Sequence, residues 1–194
     1  MSTPASQPLD QVKLHEFVMR AVGEMGAAMN AALIVIGDKL GLYKAMSGAG
    51  PMTSAELAKK SGTTERYVRE WLAAQAAGGF ITYDAASGKY TLPSEQALAL
   101  ADETSPVFLP GFFEVVAACV KDEPKITEAF RSGKGVGWHE HDHGLFAGTE
   151  RFFRPNYRAH LISEWIPALE GVEARSKRAR KWPMLDAAWA LRRF

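Results

Sequence analysis

Between Trp138 and His143 the chain reads Trp-His-Glu-His-Asp-His, which places three imidazoles and two carboxylates within six residues. Imidazole titrates near neutral pH and serves as a general base, a hydrogen-bond partner or a metal ligand. Extended backbone here would project His139, His141 and His143 to one face, a geometry that could hold a metal ion. H-x-H-x-H alone is a weak metal signal and no other clustered ligand is evident, so no metal is expected. A His-cluster metalloprotein stays as a third alternative beside two other readings. Trp138, His139, Glu140, His141 and His143 line a substrate pocket, with one histidine as acid or base, or the loop is structural and solvated. The one cysteine, Cys119, excludes an intramolecular disulfide framework and a Cys-rich zinc site. It sits in the apolar run 115–120 and is expected to be a buried thiol in a reducing cytoplasm.

The elements that must position this loop are mostly helical. The chain has 194 residues, 47% hydrophobic and 23% charged, enough for a soluble fold that buries roughly 70% of its unfolded surface. Residues 1–13 carry neither a basic n-region nor an apolar h-region of a signal peptide, and are expected to be disordered. The longest strongly apolar stretch, 27–37, is too short to span a bilayer, so neither a membrane partner nor any location but the cytoplasm is expected. Apolar residues recur at three- and four-residue spacing over 14–22 and 25–46, which predicts long helices. Their small-residue stretch, Gly23 to Ala32, permits close helix approach and points to a homodimer formed through residues 14–46. Gly41 marks the end of this helical region.

Residues 52–92 carry the clearest local pattern. Thr53-Ser54-Ala55-Glu56 is a capping box that opens a helix over 54–60, with a turn at Ser61-Gly62. Thr63 or Thr64 caps a second helix through Tyr67, Val68, Trp71, Leu72 and Gln75, stopped by Gly78-Gly79. Two β-rich runs, 80–83 and 89–92, flank the turn 84–88. Helix, turn, helix and hairpin make a winged helix-turn-helix. Over 53–92 five basic residues face four acidic ones, and the second helix carries Glu65 and Glu70 beside Arg66 and Arg69. Phosphate neutralisation supplies most non-specific DNA affinity, so nucleic acid is not the expected partner.

Helices are expected over 94–101, from Ser105-Pro106 through Phe108, Phe112, Phe113, Val116 and Val120, and from Glu123-Pro124 to Ser132-Gly133. Arg151-Phe152-Phe153-Arg154-Pro155 reads as helix burying its phenylalanines, and 163–169 as an amphipathic helix. The fold class is therefore mainly α, a winged helix-turn-helix with a small β-hairpin wing. N-terminal dimerisation helices precede it and a helical lid or linker follows. The expected divisions are 1–13, 14–103 for dimerisation and winged helix, 104–174 for the substrate-side linker, and 175–194 for a tail.

That tail is a composition break. Residues 1–174 hold 16 Lys and Arg against 21 Asp and Glu, whereas 175–194 hold seven basic residues and one acidic. Such a run is ordinarily a nucleic-acid or membrane arm. On that view the chain is a stand-alone winged-helix transcriptional regulator.

Four segments carry a family resemblance: Asp38 to Tyr43, Thr53 to Ala58, Glu65 to Leu72 and Tyr90 to Leu92. They resemble the N-terminal half of class I S-adenosylmethionine-dependent methyltransferases with a winged-helix dimerisation domain, similar in layout to small-molecule O-methyltransferases. The likeness runs from about residue 14 to 174. It implies a winged helix that packs a dimer and helps roof the pocket of a small-molecule methyl acceptor. It also implies S-adenosylmethionine bound in a C-terminal Rossmann-like domain opened by a D-x-G-x-G-x-G loop.

In-frame, that loop is absent over 175–194. Read two bases later, the codons at the junction of Trp182 and Pro183 must give alanine, and those at Trp189 and Ala190 must give glycine. The free bases from Arg178 to Phe194 then allow G-A-K-V-A-D-V-G-C-G-L-G-A-S-T-I. A frameshift near residues 174–176 is the expectation, with a chain that binds no cofactor tightly and turns nothing over.

Overall fold

The computed structural model describes residues 9–172 and 175. The expected disorder over 1–8 and the expected basic tail over 176–194 lie outside the described residues. Residues 9–13, expected to be disordered, are ordered into the start of a helix. Asp10 sits in extended backbone and its Oδ1 accepts from the N–H groups of Val12 and Lys13, so α1 (Gln11–Lys39) opens before Leu14.

Where the sequence suggests two helices there is one long α1 and a short α2 (Leu42–Met46). Gly23 and Gly26 do not interrupt α1, because an interior glycine costs only about 1 kcal/mol and keeps its N–H. The break comes at Gly41, whose φ of 67° belongs to the left-handed region. The first ten residues of α1 are all exposed, while Ala31, Ile34 and Gly37 are buried. By length and apolarity α1 could cross a membrane, which the run 27–37 alone did not suggest.

The winged module follows as read. The Thr53–Glu56 capping box opens α3 (Ser54–Ser61), and Gly62 ends it. Next come α4 (Glu65–Ala77), β1 (Thr82–Asp84) and β2 (Lys89–Thr91). The strands pair antiparallel, Tyr83 opposite Tyr90, and Met52 adds a bridge to Tyr90. Strand β1 covers Thr82–Asp84 rather than 80–83, and Ile81 just before it is buried in the core.

One apolar core joins α1 to this module: Ile34, Leu42, Tyr43, Met46, Met52, Leu57, Val68, Trp71, Leu72, Ile81, Leu92 and Leu100. A buried polar chain pins it. Tyr43 Oη donates to Gln75 Oε1 at 2.5 Å, Gln75 Nε2 donates to Asn30 Oδ1 at 2.8 Å, and Trp71 Nε1 donates to Leu33 O at 2.9 Å. Burial, with Asp38 adding to it, pushes the Tyr43 phenol well above its ordinary range. Trp71 lies so close to Gly37 that a Cβ there would collide with the indole ring.

After the wing come α5 (Ser94–Leu100) and α6 (Pro110–Lys121). The expected start at Ser105-Pro106 is wrong. Ser105 Oγ accepts from the N–H of Val107 in a tight turn, and Pro110 occupies the first helical position instead. Cys119, expected buried, is exposed. The neighbouring Ala118 faces inward, and one further residue rotates the thiol about 100° outward. Next are α7 (Glu123–Ser132), a 3₁₀ turn over Trp138–Glu140, and α8 (His143–His160). The expected amphipathic helix over 163–169 is a π-helical turn, Leu161–Trp165, and a short α9 (Ile166–Ala168). Helices α6 and α8 pack backbone to backbone at Gly111 and Gly148. A Cβ on Gly148 would lie 2.5 Å from Gly111 O and 2.9 Å from Val115 N.

Candidate functional site

Asp122 stands between the last residue of α6 and the first of α7, and its side chain is only 4% exposed. Its Oδ1 accepts from Lys125 Nζ at 2.8 Å. Its Oδ2 accepts from His141 Nδ1 at 2.8 Å and from the backbone N–H of Asp142 at 2.9 Å. The Lys125 ammonium, the Asp142 N–H and the His141 ring hold this carboxyl well below the usual carboxylate range, against the opposing effect of burial. An ionised carboxylate can only accept. Nδ1 of His141 is therefore the protonated nitrogen, and in the neutral ring Nε2 carries the lone pair.

The rest of the loop frames that ring. Trp138 meets it edge-on at 5.7 Å between centroids and meets Phe146 at 5.1 Å, yet its side chain remains 65% exposed. Glu140 Oε2 accepts from the Gly137 N–H at 2.6 Å and closes the 3₁₀ turn. Lys125 Nζ also donates to Glu140 O. Asp142 caps α8 through the Gly144 N–H at 2.8 Å and pairs with Lys121 at 3.2 Å, and both contacts depress its pKa.

The three histidines therefore do not share one face. His139 lies exposed in the turn, His141 points to Asp122, and His143 is exposed at the first position of α8. The extended backbone that would have aligned them is replaced by the turn and the α8 cap. Among the described residues no group of three or more His, Cys, Asp or Glu could hold a metal ion. Of the five candidates Trp138 and His141 are in ring contact, and Asp122 and Lys125, which sequence reasoning missed, complete the arrangement. Their only signal was an acidic residue ahead of Glu123-Pro124.

Helix α8 carries two further features. Arg151 donates to Asp38 at 2.7 and 3.1 Å, with Glu114 at 3.4 Å and Glu103 at 3.6 Å. These carboxylates, Asp38 foremost, raise its already high pKa. The phenylalanines expected to be buried divide: Phe152 is half-buried against Phe112, whereas Phe153 is exposed in a row with Tyr157 and Trp165. An open cleft of about 520 Å³ between the α2–α3 turn and α5, lined by Ser47, Leu92, Ala97 and Asp102 among others, holds none of the sequence-predicted residues.

Topology now decides what the module is. Residues 28–102 match the family described as the Rv2258c-like winged HTH domain. Solved structures extend the likeness past this Rv2258c-like winged segment. The mitomycin 7-O-methyltransferase MmcR matches with a TM-score of 0.56 at 20% identity, covering 76% of this chain and 47% of that one. PigF with SAH matches at 0.56 and 16% identity, covering 78% and 48%. An O-methyltransferase family protein from Burkholderia thailandensis matches at 0.54 and 16% identity, covering 84% and 47%. The chain spans about half the length of these structures, and its fold is that of an O-methyltransferase N-terminal region. No curated protein matches it in sequence.

Proposed function

We propose that this chain is the N-terminal, dimer-forming and acceptor-side part of an S-adenosylmethionine-dependent methyltransferase acting on a small molecule. The observation that carries this reading is the extent of the structural overlap. It covers 76–84% of the chain, well beyond the winged segment 28–102, and so includes helices on the histidine side. In this reading the exposed apolar half of α1 packs against a second copy, residues 14–46 forming the seam, and the loop 138–143 faces the methyl acceptor. The chemistry of the parent enzyme is attack of an acceptor atom on the sulfonium methyl group. Its cofactor-binding half is encoded in the shifted frame after residues 174–176.

A DNA-reading role is disfavoured by the helix that would enter the groove. On α4, Arg66 pairs with Glu70 and Arg69 with Glu65, so its cations are already neutralised within the helix. The proposal has a direct binding test. Calorimetry of the 194-residue chain with S-adenosylmethionine should show no saturable heat, and micromolar binding would overturn the assignment of the cofactor site to the shifted frame.

A further inference from the structure

The cleft between the α2–α3 turn and α5 has a chemistry of its own, apart from the histidine loop. It holds about 520 Å³, within the roughly 300–1,000 Å³ that small-ligand sites occupy. We propose that this cleft binds a small organic ammonium ion, its apolar body on Leu92, Ala97 and Leu98 and its cationic head at Asp102.

The lining divides into an apolar part and a single charge. Leu92 and Ala97 belong to the buried core and supply an apolar floor. Leu98, next to Ala97 on α5, is 49% exposed at the cleft and leaves apolar surface that a ligand body would cover. The turn over 47–50, which forms another wall, reads Ser-Gly-Ala-Gly, so no long side chain fills the space. Asp102 is the one charged group in the lining, which contains no Lys, Arg or His. The Thr104 hydroxyl donates to Asp102 Oδ1 at 2.7 Å and the Thr104 N–H at 2.9 Å. These bonds hold the carboxyl below its usual range and keep it ionised. Among the described residues no cation pairs with it, and Lys44 is committed to the adjacent Glu103. Helix α5 ends just before Asp102, and the partial negative charge of a helix C-terminus reinforces the carboxylate. An anion finds no partner in this lining, whereas an ammonium group with a short apolar body satisfies both halves of it. Binding makes and breaks no covalent bond.

Amide NMR titration of the 194-residue chain at neutral pH tests this with 2-phenylethylamine, 2-phenylethanol and 3-phenylpropionate. These probes share one body and differ in the charge of the head. The amine should move the amides of Ser47, Gly48, Leu98 and Asp102. It should bind about threefold tighter than the alcohol, the scale of one exposed ion pair, and lose that advantage in high salt. The carboxylate probe should bind more weakly than the alcohol. Asp102→Asn, which keeps an oxygen for Thr104, should bring the amine to the affinity of the alcohol, and Leu98→Ser should weaken both alike. Equal affinities for the three heads, or amide shifts that miss this cleft, overturn the proposal in the unaltered chain, whether or not either variant folds. The methyltransferase reading stands or falls separately, on the coding sequence.

Discussion

Arg151 grips Asp38 through two parallel hydrogen bonds, 2.7 and 3.1 Å, and so ties α8 to the end of α1 across 113 positions of sequence. The Asp38 side chain is only 8% exposed, and Arg151 also faces Glu103, Glu114 and the ring of Phe108. This is the polar anchor that holds the histidine side of the molecule on the winged side. Removing one partner of a buried ion pair leaves an uncompensated charge. Arg151→Met should therefore cost about 3 kcal/mol in urea denaturation. Adding Asp38→Asn should recover part of that loss. A double variant as unstable as the sum of the two singles would mean that the pair is not coupled.

The α6–α8 crossing makes a sharper demand on residue size. Gly111 and Gly148 bring two helix backbones into contact, and no side chain fits between them. Gly148→Ala should cost about 3 kcal/mol through overpacking. Gly78→Ala, at a φ of −81° that suits alanine and with nothing nearer than 3.4 Å to the added Cβ, should change stability by less than about 1 kcal/mol. Thermal unfolding of both variants checks the contrast.

Acid should act on the histidine loop through Asp122. Its folded-state pKa lies below the unfolded value of about 3.9. Its stabilising contribution is therefore complete above the unfolded pKa and disappears as pH falls through the lower folded value. Between about pH 5 and pH 3 the unaltered chain should lose more stability than Asp122→Asn, followed by near-ultraviolet circular dichroism. Parallel losses would show that the carboxylate is not held by its partners.

The exposed face of α1 bears on assembly. Val18 and Met25 lie two turns apart on this helix, and Met25 is 63% exposed. Sedimentation should find a dimer at micromolar concentration for the unaltered chain. Val18→Glu combined with Met25→Glu should give a folded monomer, because a buried charge without a partner opposes association. A monomer without substitution would remove the dimer from the account.

Much of the fold was legible because its signals are local. The Thr53–Glu56 capping box, the stops at Gly62 and Gly78 and the β-rich runs around Asp84 each act within a few residues, and each appears close to where the sequence places it. The helix expected at Ser105 failed because two prolines compete nearby, and a serine turn decides for Pro110. The site was half legible. Residue types alone pointed to Trp138 and His141, but alternation wrongly aligned His139, His141 and His143. The decisive partner, Asp122, lies 19 positions before His141 and reaches it only because α7 folds back. No sequence periodicity encodes such a contact.

The central claim concerns what kind of enzyme this module serves, and the coding sequence tests it most directly. The gene should be read from an independent template, from codon 165 to well beyond the stop. The account expects the shifted frame after residues 174–176 to run through the glycine-rich A-D-V-G-C-G-L-G stretch and stay open for a further domain. A shifted frame that closes at once would contradict it and would make the basic residues from Arg175 to Arg193 a genuine part of the protein's function.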